Sequence, residues 1–185
     1  MSTVAQKLIT ADEFFRMPEP RDGAKQELVQ GEIVSMPPTG YRHGDVQGNI
    51  YLQIKLFLKS HPIGNVVVES GVRTERDPDS VRGPDVSYWS AERVSLSEKP
   101  IGYPEVPADL CVEVVSPSDR ISQLRKKATE YLKCGVRMVW IADPEDQTVT
   151  IYRQPGEGRV LSDHAEITGE DVLPGFRCRI GEFFT

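Results

Sequence analysis

The sequence predicts an α/β (α+β) fold, a central mixed β-sheet with helices packed against it, spread over residues 1–185 as one domain. Three observations predict it. Short apolar or alternating runs outnumber helical patterns, those helical patterns sit in the first two-thirds of the chain, and no repeat or low-complexity linker divides it. A length of 185 residues favours one sizeable core over two small ones.

The elements follow from local signals. "TADEFFRMP" sets Thr10 three residues before Glu13, the spacing of a capping box, and Pro18 stops the short helix. "KQELVQGEIVSMPP" reads as two short strands around a Gln30-Gly31 turn, closed by Pro37 and Pro38. A longer helix over roughly 42–60 follows, with Val46, Ile50, Ile54 and Phe57 on one face and His43 on that face in the first turn. "NVVVESGVRTE" and "PDVSYWS" read as strands around a charged loop, "RDPDSVRG". A Pro-rich connector leads to the strand in "DLCVEVV", and after "SPSD" a helix over roughly 120–134 stops at Gly135, with Ser118 or Asp119 as its cap. "VRMVWIAD" and "TVTIYRQ" are further strands, and the tail is a β extension of short strands and turns.

Composition excludes several classes. With 38% hydrophobic and 27% charged residues the chain is neither disordered nor membrane-spanning, and its apolar runs fall far short of the roughly 20 residues a bilayer requires. "MSTVAQKLITADEF" lacks the pattern of a secretory signal, and Cys111, Cys134 and Cys178 are scattered in apolar segments, which points to buried thiols in the cytoplasm. A net charge of −6 argues against a wholly basic nucleic-acid platform, though not against a local basic groove or an acidic metal cleft. Nucleophile-elbow, phosphate-loop, dinucleotide and zinc-protease motifs are all missing.

The acids carry more information. Glu113 interrupts a run in which Leu110, Val112 and Val114 share one strand face and Cys111 and Val115 the other. An unpaired buried charge costs several kcal/mol, so this residue needs a partner. Asp85, after Pro84, opens a strand that would neighbour Glu113, and two converging carboxylates suit a hard divalent ion. Lys127 lies about 40° from Tyr131 and about 60° from Leu124 around its helix, at the edge of a stripe of Ile121, Leu124, Ala128 and Tyr131, whereas Lys126 faces solvent. The alternatives are bland: Glu113 paired with Arg137, His43 as packing, Tyr88, Trp89 and Trp140 as core, and Arg73, Arg76, Arg82, Arg93 and Arg120 as solvated surface in place of a phosphate groove.

In order along the chain, "LITADEFFRMP", "QELVQGEIVSMPP", His43, "GPDVSYW", "DLCVEVVSPSDR", Lys127-Tyr131-Gly135-Val136, "VWIADP", "TVTIYR" and "VLPGF" resemble the putative restriction endonuclease family, a former domain of unknown function within the PD-(D/E)XK nuclease superfamily. The resemblance implies a restriction-endonuclease-like sheet, an endonuclease acting on nucleic acid with DNA as the expected substrate, a Mg²⁺ or Mn²⁺ cofactor, and a homodimer. It implies Asp85 and Glu113 as metal-binding and catalytic acids, Glu27 as an assisting metal acid, Lys127 as a catalytic lysine moved from strand to helix, and His43 as an accessory. Two departures stand out: Val115 occupies the place of the usual strand lysine, and Gln123 stands where relatives often carry Asp. The competing expectation is an inactive nuclease fold kept as a binding or assembly module, and a two-carboxylate glycosidase comes last because it leaves Lys127 unexplained.

Overall fold

The computed structural model describes residues 7–185. The first six residues of the stretch read above for a secretory signal lie outside that range. Helix α1 (Ala11–Phe15) has the expected capping box, in which the Thr10 hydroxyl accepts from the Glu13 amide while the Glu13 carboxylate accepts from the Thr10 amide. Strands β1 (Lys25–Val29) and β2 (Glu32–Met36) pair antiparallel, Glu27 opposite Val34. The turn between them holds Gln30 and Gly31 at φ of 50° and 77°, the left-handed pair that a two-residue hairpin requires.

Helix α2 (Tyr41–Ser60) buries His43, Val46, Ile50, Ile54 and Leu58, so the expected face is correct, with Phe57 only partly covered. "NVVVESGVRTE" divides into β3 (Gly64–Val68) and β4 (Val72–Glu75), which enter different sheets. The charged loop contains a strand, β5 (Ser80–Arg82), that sequence reading did not anticipate: three residues with one apolar member carry no measurable period. β6 (Val86–Ser90) and β7 (Leu110–Val114) are antiparallel neighbours; β7 and β8 (Met138–Asp143) are parallel, joined through α3 (Ile121–Cys134) as a βαβ crossover. β9 (Thr148–Tyr152) and β10 (Gly158–Ser162) complete a six-stranded mixed sheet in the order β10-β9-β8-β7-β6-β3. The second sheet runs β2-β1-β5-β4, and β11 (Glu166–Thr168) pairs with β12 (Arg177–Arg179) before a 3-10 turn at Ile180–Phe183.

Strand alternation divides the interior. Leu110, Val112, Val114, Met138, Trp140 and Ala142 face α2, while Cys111, Val139 and Ile141 face Leu124, Ala128 and Tyr131 of α3. The C-terminal β extension is no appendage: Ile167, Leu173, Phe176, Ile180 and Phe183 pack into the core on the α2 side. Two expectations about α3 are corrected. Ile121 is 51% exposed, lining an open cavity beside Val115 and Ile141 in place of joining the buried stripe of Leu124, Ala128 and Tyr131. The N-cap is Arg120 without a side-chain cap, since the Asp119 carboxylate is turned back to accept from the Ser116 amide. Among the described residues no helix is long and apolar enough to cross a membrane.

Candidate active site

Among the described residues four acids are buried, and they are paired in two different ways. Asp109 has the bland solution: Arg93 Nε at 3.1 Å, Arg137 Nη1 at 3.5 Å and the Ser90 amide at 2.8 Å. Glu113, Asp85 and Glu27 have lysines instead and belong to one connected network. Arg137, the alternative partner considered for Glu113, is taken by Asp109 and Asp171.

β7 carries Glu113 in the middle of the sheet, on the face covered by α3. The pairing of Val86 with Val112, continued one step past the start of β6, aligns Asp85 with Glu113. Asp85 Oδ2 accepts from the Val114 amide at 2.7 Å, so the backbone of one strand clamps the acid of the next. Its Oδ1 receives Lys25 Nζ at 3.0 Å, and His43 Nε2 from α2 lies 3.3 Å from Oδ2. Burial alone would raise the Asp85 pKa, but the His43 hydrogen bond and the Lys25 charge prevail and hold it at about 2.

From α3, Lys127 reaches both Glu113 oxygens, at 3.2 and 3.0 Å, and Glu27 Oε1 at 2.9 Å. The sequence-based contrast with Lys126 is correct: their side chains are 16% and 75% exposed. One helical turn on, the Tyr131 hydroxyl donates to Glu113 Oε1 at 2.6 Å. Glu27 also accepts from Arg82 at 2.9 Å and from the Gly83 amide at 3.1 Å, and Arg82 continues to Glu130. Burial pushes the Glu113 pKa up against the pull of Lys127, and the charges of Asp85 and Glu27 push it further. For Glu27 the balance reverses, because Lys127, Arg82 and Gly83 outweigh burial and lower it. Lys127 is likewise held above its usual value: burial opposes its charge, but Glu113 and Glu27 win. His43 is raised despite burial, through Asp85, and its Nδ1 is buried without a hydrogen-bond partner.

The structure therefore brings Asp85, Glu113, Lys127, Glu27 and His43 into one continuous constellation. Three participants were missed. Lys25 precedes Glu27 by two residues on a strand, which puts both on one face, so its signal was present in "KQE". Tyr131 follows Lys127 by four on a helix and was counted only for its ring. Glu69, 2.8 Å from Lys25, sits at positive φ after β3 and carried no signal. Conversely, Arg73, Arg76, Arg82 and Arg93 are each committed to acids within the protein and do not make a free phosphate groove.

Among the described residues no three His, Cys, Asp and Glu side chains gather as a ready metal centre. The donor chemistry of the acid pair nonetheless fits a hard divalent cation. Asp85 and Glu113 offer oxygen atoms only, Asp85 is held ionised, and burial beside like charges raises Glu113, a conflict that a cation relieves.

A mixed sheet with helices on both faces, carrying acids on two neighbouring strands, one of which meets a helix lysine, defines the restriction-endonuclease-like class of fold. The chain belongs to the Uma2 family, whose model, described as "Putative restriction endonuclease", matches residues 11–181. Its fold is similar to the crystal structure of a "putative nuclease belonging to DUF820" from Anabaena variabilis ATCC 29413, with a TM-score of 0.77 and 25% identity over 95% of this chain and 97% of that one. A search of curated proteins finds no match.

Proposed function

We propose that the protein is a Mg²⁺- or Mn²⁺-dependent endonuclease acting on DNA. The observation that carries this reading is Lys127, which spans Glu113 and Glu27, with Asp85 aligned opposite Glu113 on the neighbouring strand. Family membership and the nuclease-like neighbour support phosphodiester hydrolysis as the reaction class.

Asp85 and Glu113 would hold the ion, which when bound lowers the pKa of a water and takes up charge on the scissile phosphate. The rest is done by the chain. Lys127 stays an ammonium group and directs its charge to the attacking water or a phosphate oxygen. Glu27 holds that ammonium in place and is itself fixed by Arg82 and the Gly83 amide. Tyr131 orients Glu113, and His43 with the Val114 amide orients Asp85. Glu27 in this reading supports the metal acids through Lys127.

Cleavage of plasmid and oligonucleotide DNA, with and without Mg²⁺ or Mn²⁺, tests the proposal. Asp85→Ala and Lys127→Ala are each expected to lower the rate at least about a hundredfold. Equal cleavage by wild type and both variants would remove it. RNA in the same assay decides the substrate class. A homodimer and a cytoplasmic setting belong to the same reading, and a monomer by sedimentation equilibrium would remove the first.

One observation favours a second reading, a nuclease fold kept as a binding or assembly module: the oxygens of Asp85 and Glu113 are already engaged by Lys25, His43, Val114, Lys127 and Tyr131. Calorimetric Mn²⁺ titration separates the two, since a scaffold takes up no ion dependent on Asp85.

A further inference from the structure

The engagement of Asp85 raises a question of order, because a cation reaches that carboxylate only if a donor withdraws. Three donors are present. The Val114 amide belongs to β7 and is fixed by the sheet. The His43 ring is 5% exposed and set in the first turn of α2. Lys25 differs on every count. Its side chain is 22% exposed, its stem is flexible, and its ammonium already touches a second carboxylate, Glu69, at 2.8 Å. Glu69 is 45% exposed and is steadied by the Gln47 amide group at 2.8 Å, which also donates to the Asp85 carbonyl at 3.0 Å. A cavity of about 80 Å³ adjoins Lys25, Glu69 and Gly83, room for a lysine terminus to move with a few waters.

We infer that Lys25 is the internal counter-ion of Asp85, displaced by an arriving divalent cation and retained by Glu69. Charge balance requires this sequence. Without a cation the ammonium neutralises Asp85 in a site where an unpaired carboxylate is costly. When a divalent ion takes that role, two cations on one carboxylate repel each other, and Glu69 keeps the displaced ammonium paired. Lys127 also bridges two acids, Glu113 and Glu27, but both are buried and at 16% exposure it has less freedom to leave. Lys25 thus sets the affinity of the site for metal and keeps the acid pair soluble in charge terms when metal is scarce.

The inference rests on the metal reading of Asp85, and the test keeps the two apart. Mn²⁺ affinity is measured by calorimetry, without DNA, on wild type, Lys25→Met, Glu69→Gln, the double variant and Asp85→Asn. Lys25→Met is expected to bind Mn²⁺ about tenfold more tightly, the weight of one close opposing charge. Glu69→Gln should bind several-fold more weakly than wild type but have no further effect once Lys25 is Met, because it acts through that lysine. Unchanged or weaker binding by Lys25→Met, with wild-type binding still abolished by Asp85→Asn, overturns the role of Lys25 alone. An equal effect of Glu69→Gln in both backgrounds overturns the role of Glu69. No Mn²⁺ binding by wild type or Lys25→Met overturns this inference and the metal reading together. Circular dichroism confirms folding, and Lys25→Gln replaces Lys25→Met if the latter does not fold.

Discussion

Asp109 and Glu113 are both buried acids on or beside the same strand, yet they are held by different groups. Asp109 is closed off by two guanidinium groups and an amide, a structural arrangement that fixes the start of β7. Glu113 is held instead by an ammonium and a phenol, neither of which has the planar fork of a guanidinium. The pH dependence of stability follows from Asp85. Its folded pKa of about 2 lies below the ordinary 3.8, so its contribution is complete above the higher value and is lost as pH falls through the lower. Urea unfolding is expected to show a loss of about 2 kcal/mol from this group between about pH 4 and pH 2, and a smaller loss for Asp85→Asn. Glu113 acts with the opposite sign: its pKa is raised, so its contribution is present at acid pH and lost as pH rises through the folded value. Tyr131→Phe removes a phenolic donor to Glu113 and should cost about 1–3 kcal/mol in the same measurement.

The helix α3 places Lys127 because three buried positions, Leu124, Ala128 and Tyr131, fix its rotation against the sheet. That rotation was legible from the 3.6-residue period, and so was the choice between adjacent lysines. Its start was not, because the "SPSD" oxygens had several backbone amides within reach and the Asp119 carboxylate turned to Ser116. Its end was: Gly135 adopts φ of 105°, and a Cβ there would approach Pro107 Cγ at 3.2 Å. Gly135→Ala is expected to cost about 1–2 kcal/mol by urea unfolding, from the left-handed backbone and the crowded proline. β5 shows the opposite case. A three-residue strand exists because β1 and β4 flank it, and it delivers Arg82 and the Gly83 amide to Glu27. Neighbouring strands, not local preference, made it a strand.

The two faces of the six-stranded sheet bury separate clusters, one under α2 with the C-terminal extension and one under α3. The small sheet joins them by bringing Lys25, Glu27 and Arg82 across to the acids. If residues 1–185 form one domain, as proposed from length, these parts unfold together, and fluorescence of Trp89 and Trp140 should give one urea transition coincident with circular dichroism. The thiols offer a further check: Cys111 and Cys178 are buried as expected, whereas Cys134 is only part-buried. Burial raises the pKa of Cys111, Cys134 and Cys178, the last to about 12. All three are free and should alkylate slowly at pH 8 in the folded protein and rapidly in urea.

Read alone, the sequence determined the fold class, the helix rotations, the capping box, the two-residue turn and the acids worth attention, because periodicity and turn chemistry act within a few residues. It also singled out Lys127 from its neighbour. Only the tertiary structure decided that Glu27, fixed by Arg82, holds that lysine, that Lys25 and Glu69 stand over Asp85, and that Arg137 belongs to Asp109. Those partners come from different strands and sheets, up to 100 residues apart for Glu27 and Lys127. Charge pairing depends on distance in space, which no local pattern of side chains encodes.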